Sequence, residues 1–163
     1  MHLLAWGRKS WGEFTGPTRF PARQTYEASQ ALARLHQLAP EQVLLPQQHP
    51  GGIDAGAFHT DVMAVGNGSV LLMHELAFAD REGLVADLQR RLDGRLKVEV
   101  ATEQELPTSS SVKAYPFNSQ VVTLPSTRWL AVWGAPAGAG VRGAILDGND
   151  LSQIEKVVTL VPA

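Results

Sequence analysis

Two side chains of opposite character stand two residues apart at His59 and Asp61, in the run Phe58-His59-Thr60-Asp61-Val62. An imidazole can take or give a proton near neutral pH, and a carboxylate can accept two parallel hydrogen bonds from a guanidinium group. If the run is a strand, alternation sends residues two apart to the same face, so the pair would project together at a strand entrance. The plainer account is a hydrogen-bonded surface histidine beside a loop aspartate, and spacing alone favours it. Chemistry at this pair therefore needs support from the surrounding sequence.

The other reactive-looking residues offer little. His2, His36 and His74 have no metal-ligand spacing with acidic neighbours, and His49 before Pro50-Gly51-Gly52 reads as a turn residue. Ser109, Ser110 and Ser111 have no base placed beside them by sequence. The glycine-rich stretch from Gly134 to Gly143 lacks the Gly-Lys-Ser/Thr ending of a phosphate loop and the dinucleotide fingerprint, so it reads as a turn. Trp6, Trp11, Trp129 and Trp133 fit core or interface better than a base-stacking platform, and Trp129 and Trp133 would share a strand face. The chain has no cysteine, which excludes disulfides, zinc–thiolate sites and thiol catalysis from its own side chains.

Three stretches must position these groups, each reading as helix followed by strand. Thr25 is an N-cap with Glu27 in the first turn. Ala28, Ala31, Leu32, Leu35 and Leu38 then share a helical face, Pro40 stops the helix, and Val43-Leu44-Leu45 is a short buried strand. Asp80 caps a second helix with Leu84, Leu88 and Leu92 on one face; Gly94 ends it, and Leu96 to Val100 alternates as a strand. Val141 to Leu146 is a weaker, glycine-interrupted short helix, followed by a strand from Ile154 to Val161. Strand-like runs precede each helix: Leu3–Trp6; Val62–Val65 with Val70–Met73; Gln120–Leu124 with Trp129–Trp133. Asn67-Gly68 is the hairpin turn of the middle pair. Glu103 to Ser111, with Pro107 and its serines, is the expected mobile loop.

The pattern is strand, strand, helix, strand, in units of about 1–50, 57–103 and 112–163 within a single domain over 1–163. No residue motif recurs between units, so the repeat is structural. The fold class is α/β (α+β), and units of this kind bury their faces against neighbours.

With 44% hydrophobic and 18% charged residues in 163, and a net charge of −2, the composition is that of an ordinary globular domain. It offers no general attraction to nucleic acid or an anionic membrane. Its apolar runs fall far short of the roughly 20 residues a membrane helix needs. Met1-His2-Leu3-Leu4-Ala5-Trp6-Gly7 lacks the order of a signal peptide and reads as a strand entered directly, as though the chain began in the middle of something. A cytoplasmic protein with no cofactor is expected.

Four stretches, taken in order, carry a resemblance: Phe20-Pro-Ala-Arg-Gln-Thr-x-Glu-Ala-Ser29; Gln47-Gln48-x-Pro50-x-x-Ile53-Asp54-x-Gly56; Phe58-His59-x-Asp61-Val62-x-Ala64-Val65; and Phe117-Asn118-Ser119-Gln120. They resemble the central portion of N-succinylarginine dihydrolase, continuously from about Leu3 to Gln120 and more loosely beyond. That family belongs to the pentein superfamily, whose members set five ββαβ units around a pseudo-fivefold axis. The resemblance thus implies a partial α/β propeller of about three units.

The family hydrolyses the guanidinium of N2-succinylarginine to N2-succinylornithine, ammonia and carbon dioxide. A cysteine thiolate attacks and a histidine moves protons; a glutamate supports the chemistry, and an aspartate and an arginine hold substrate. The resemblance implies that the histidine is His59, with Asp61 and Arg23 as the substrate-binding pair, Arg23 gripping the succinyl carboxylate in a forked contact. For Arg23 the plainer account is a solvated arginine ahead of a helix. The family glutamate would precede Met1 and the cysteine would follow Ala163. Thr60 and His49 stand where the family has asparagine. Losing the nucleophile of a cooperating set costs on the order of 10⁶ in turnover, so this chain alone is expected to be inactive. It is read first as part of a split or truncated dihydrolase acting on a small guanidinium ligand. The alternatives are a non-catalytic guanidinium- or carboxylate-binding domain and a structural interaction protein with a relic site. Open apolar faces and strand edges imply a homo-oligomer or a complementing chain.

Overall fold

Thr25 and Asp80 each end an extended segment and open a helix, for the same reason. The Thr25 hydroxyl accepts the Ala28 amide at 3.1 Å and the Asp80 carboxylate accepts the Gly83 amide at 2.9 Å, satisfying donors that a first helical turn leaves orphaned. The helices are α1 (Tyr26–Leu35) and α3 (Arg81–Arg91). Asp87 pairs with both Arg90 and Arg91 in the last turn of α3, and Asp93 and Gly94, at φ +51° and +71°, are the left-handed residues just beyond its cap. The computed structural model describes residues 1–12 and 16–124, and backbone alone over 128–134, 141–146 and 153–160.

The middle unit is the expected ββαβ. Strand β3 (Ala64–Asn67) runs antiparallel to β4 (Val70–His74), and α3 carries the chain over to β5 (Lys97–Ala101), parallel to β4. The hairpin is shifted by one residue from expectation. Asn67 pairs with Val70, so the two-residue connection is Gly68-Ser69, with Gly68 at φ +59°. Freed from the turn, the Asn67 side-chain Nδ2 donates to the Val121 carbonyl at 2.8 Å and ties this unit to the next. Leu84, Leu88 and Leu96 bury against Val62, Met63, Leu71, Met73 and Phe78 to form the main core. A core of this kind supplies the dominant favourable term for the fold.

The first unit is smaller. Strand β1 (His2–Leu3) pairs in parallel with β2 (Val43–Leu44), and α1 lies between them in sequence. Among the described residues the expected apolar face of α1 is only partly covered: Ala28 and Leu38 are half-buried, but Leu32 is 37% and Leu35 74% exposed. The buried position is Ser29, whose hydroxyl donates to the Ala5 carbonyl at 3.0 Å, so the helix docks through a polar contact close to its start. Helix α2 (Pro50–Asp54) then begins where the His49 ring accepts the Gly51 amide at 3.1 Å.

Two other expectations are corrected. The serine-rich loop becomes helix α4 (Thr108–Ala114), because Glu103 accepts both the Thr108 amide at 3.0 Å and its hydroxyl at 2.5 Å, while buried Ser111 donates to the Val62 carbonyl at 3.0 Å. Residues 141–146 are strand and not helix. Strands β6 (Ser119–Leu124), β7 (Arg128–Gly134), β8 (Val141–Leu146) and β9 (Gln153–Leu160) form a four-stranded antiparallel sheet in that order. Pairing on both sides satisfies the β8 backbone in a way that a glycine-interrupted single helix could not. The turn expected from Gly134 to Gly143 is strand at both ends, Gly134 closing β7 and Val141 to Gly143 opening β8; its residues 135–140 lie outside the described residues, as do the side chains of Trp129 and Trp133. Among the described residues the chain is mixed α/β, with three small sheets and a full ββαβ unit in the middle, and no sheet closes on itself. No helix among them is long and apolar enough to cross a membrane.

Candidate active site

His59, Asp61 and Arg23 do come together, though not through strand alternation. His59 is the residue ahead of a 3-10 turn, Thr60–Val62, and Asp61 lies inside that turn. The turn, and not a pleat, brings His59 Nδ1 within 3.8 Å of Asp61 Oδ1. Val62 and Met63 are buried directly behind it, so the turn stands on the core while its polar residues face outward. The side chains of His59 and Asp61 are 32% and 56% exposed.

Arg23 reaches the same place from 36 residues away, its Nη1 donating to His59 Nε2 at 2.7 Å. A guanidinium has donors only, so this bond requires Nε2 to be the acceptor. The ring is then neutral and carries its proton on Nδ1, on the side of Asp61. The arrangement therefore selects one tautomer and aligns cation, imidazole and carboxylate in that order. Such a set can hold a carboxylate at Arg23, transfer a proton at the imidazole and accept guanidinium hydrogen bonds at Asp61.

The segment carrying Arg23 is pinned at both ends. On its C-terminal side the Arg8 guanidinium donates to the Ala22 carbonyl at 3.1 Å, and the Gly7 amide to the Gln24 carbonyl at 3.0 Å. Ala22 is buried against Gly7, where a Cβ would lie 2.5 Å from the Ala22 Cβ and 2.6 Å from Ile53 Cδ1. Only glycine permits that approach. On its N-terminal side, Asp54 accepts the amides of Thr18, Arg19 and Phe20 at 3.0, 2.6 and 3.1 Å and the Thr18 hydroxyl at 3.0 Å. These bonds, led by the Thr18 amide, hold its carboxyl down at about 2.

Sequence reading noted Asp54 within a motif but assigned it nothing. The available signal was its place as the last residue of a helix, where the dipole disfavours a carboxylate and an outside partner is needed.

The other features do not compete with this site. His49 caps a helix, and Ser111 donates its hydroxyl to backbone inside the core. A cavity of about 290 Å³ lies behind the 3-10 turn, reached by Thr60 and walled by Leu3, Val65, Leu71 and Leu88, with no charged side chain in its lining. Among the described residues no group of histidine, aspartate and glutamate could hold a metal ion.

Comparison with known proteins gives the family. The family model described as succinylarginine dihydrolase matches residues 1–139. The chain is 66% identical over 125 residues to the N-succinylarginine dihydrolase of Myxococcus xanthus (strain DK1622), covering 77% of this chain and 28% of that protein. It is 46% identical over 125 residues to the N-succinylarginine dihydrolase of Chromohalobacter salexigens, with the same coverage. The chain thus spans under a third of the length of these curated relatives. It belongs to the succinylarginine dihydrolase family.

Proposed function

We propose that this chain carries the proton-transfer and substrate-gripping part of a succinylarginine dihydrolase site. The observation that supports this most is the meeting of Arg23 and His59 at 2.7 Å with Asp61 beside the opposite ring nitrogen. In this reading the succinyl carboxylate takes the Arg23 fork. The guanidinium of the substrate donates to Asp61, and His59 moves protons to and from the leaving ammonia. Overall, two waters are consumed and two ammonia molecules and one carbon dioxide leave, with N2-succinylornithine as the other product.

The attacking thiolate must come from outside these 163 residues, which hold no cysteine. The chain alone is therefore inactive in this reading, and a complementing chain or further units of a pentein-like ring would supply the nucleophile. The uncovered Leu32 and Leu35 of α1 are the surface such a neighbour would meet, and a second copy of the chain is the other occupant.

The test is calorimetric titration of the purified chain with N2-succinylarginine, with ammonia assayed in parallel. Binding without ammonia release is expected. Asp61→Asn is expected to weaken binding by about 1.5 kcal/mol, the low end for hydrogen bonds to charged groups, because more than half of the side chain is exposed. Equal affinity for both proteins rejects the role of Asp61. Ammonia release that survives repurification and disappears in His59→Ala rejects the inactivity of the chain.

A further inference from the structure

We infer that Asp54 is a positioning residue for Arg23: by gathering the backbone amides of residues 18–20 it fixes the strap that carries the guanidinium to His59. The inference deepens the functional reading above, since Arg23 is there the carboxylate-gripping group.

Asp54 sits at the end of α2, beside fully buried Ile53 and two residues after Gly52, where a Cβ would lie 2.5 Å from the Leu76 carbonyl oxygen. The helix is therefore seated in the core, and the carboxylate at its end has a fixed origin. From there it takes three successive amides and one hydroxyl from Thr18, Arg19 and Phe20, all of them exposed residues without secondary structure of their own. Successive amides converging on one anion define the local backbone conformation as a cradle would. Beyond Phe20 only two residues intervene before Arg23, and Ala22 is buried against Gly7. Among the described residues, the hydrogen bonds that hold the strap once the carboxylate is removed are those at Ala22 and Gln24.

Asp54 does not touch Arg23 or His59 by any of these contacts. Its effect must pass through backbone, and it is visible in the proton on His59. Arg23 donation to Nε2 demands the Nδ1–H tautomer. Loss of that donation releases the ring from this constraint.

The molecule contains its own control. His74 is fully buried, accepts the Leu76 amide at Nδ1 at 3.0 Å and faces the Leu106 carbonyl with Nε2 at 2.8 Å, which demands the opposite, Nε2–H tautomer.

The experiment is long-range proton–nitrogen correlation of the imidazoles in the full chain, for the unaltered protein, Asp54→Ala and Asp54→Asn, with N2-succinylarginine titrated into each. His59 is expected as Nδ1–H in the unaltered chain and shifted towards Nε2–H in Asp54→Ala, with His74 unchanged. Asp54→Asn keeps Oδ1 for the three amides and loses the acceptor of the Thr18 hydroxyl, so it is expected to lie between. Affinity for N2-succinylarginine is expected to fall roughly tenfold in Asp54→Ala, the equivalent of one lost charged hydrogen bond.

His59 unchanged in Asp54→Ala while His74 is intact overturns the inference. If His74 also changes in Asp54→Ala, that variant has lost its fold and Asp54→Asn decides by the same criterion. Failure of the unaltered chain to bind the probe defeats the functional reading and leaves the tautomer result to judge Asp54 separately.

Discussion

His59 and His74 flank the same hairpin unit and have been put to opposite uses. His74 ends β4 with none of its surface exposed; both its nitrogens are satisfied by backbone, from Leu76 and Leu106, with the Glu103 carboxylate 3.5 Å away. His59 stands at the head of a 3-10 turn, about a third exposed, and its partners are the side chains of Arg23 and Asp61. Backbone partners cannot leave without unfolding their own segments. Side-chain partners can exchange one hydrogen bond for another at small cost, which is what a substrate asks of them. A histidine is thus structural or available according to what satisfies it, and exposure follows from that difference.

The largest expected effect comes from removing each ring in turn. His74→Ala strands a partly buried amide and carbonyl and opens a cavity where a fully buried ring stood, so a loss of about 3 kcal/mol is expected in urea unfolding. His59→Ala removes a partly exposed ring and is expected to stay within about 0.5 kcal/mol of the unaltered chain. Equal losses would erase the distinction between the two rings.

Next comes Gly7→Ala. Its Cβ would meet Ala22 and Ile53 at 2.5 and 2.6 Å, and overpacking of that kind costs about 1–3 kcal/mol. The displaced residue adjoins Arg23, so the variant is also expected to disturb the His59 tautomer while sparing His74. A shift at both rings would show general loosening instead.

The smallest effect is on pH. Asp54 drops from an ordinary 3.8 to about 2 in the folded chain, so the unfolded state takes up its proton first. Its contribution is whole above about 3.8 and is lost as pH falls through about 2. Glu103, beside His74, is likewise held below its ordinary 4.5, chiefly by the Thr108 hydroxyl, and loses its contribution in the same direction. Amide exchange at Thr18, Arg19 and Phe20 is therefore expected to quicken between about pH 4 and pH 2. Exchange there that ignores pH, once the intrinsic rate is allowed for, would contradict the clamp.

Much of the local structure was legible. Thr25, Asp80 and Gly94 act where their chemistry says they should, because a cap needs only partners three or four residues away. The His59–Asp61 pair was legible as well, but its geometry was misread, since a 3-10 turn and a strand both bring such residues near each other. Residues 141–146 were misassigned because their backbone partners lie on β7 and β9 and carry no mark in the segment itself. The α1 face misled for a related reason. Periodicity states which residues would bury together, and only a neighbouring element decides whether they do.

The sequence by itself determined the chemistry on offer: an imidazole, a carboxylate and a guanidinium in recognisable settings, no thiol, and helix ends written by their capping residues. Only the tertiary structure decided that Arg23 meets His59 across 36 residues, and that Asp54 reaches Thr18 across the same separation. Those contacts close long loops, and the entropy of closure is repaid by the core around Ile53, Val62 and Met63 as a whole. No short motif can encode a cooperative term that belongs to the packed core.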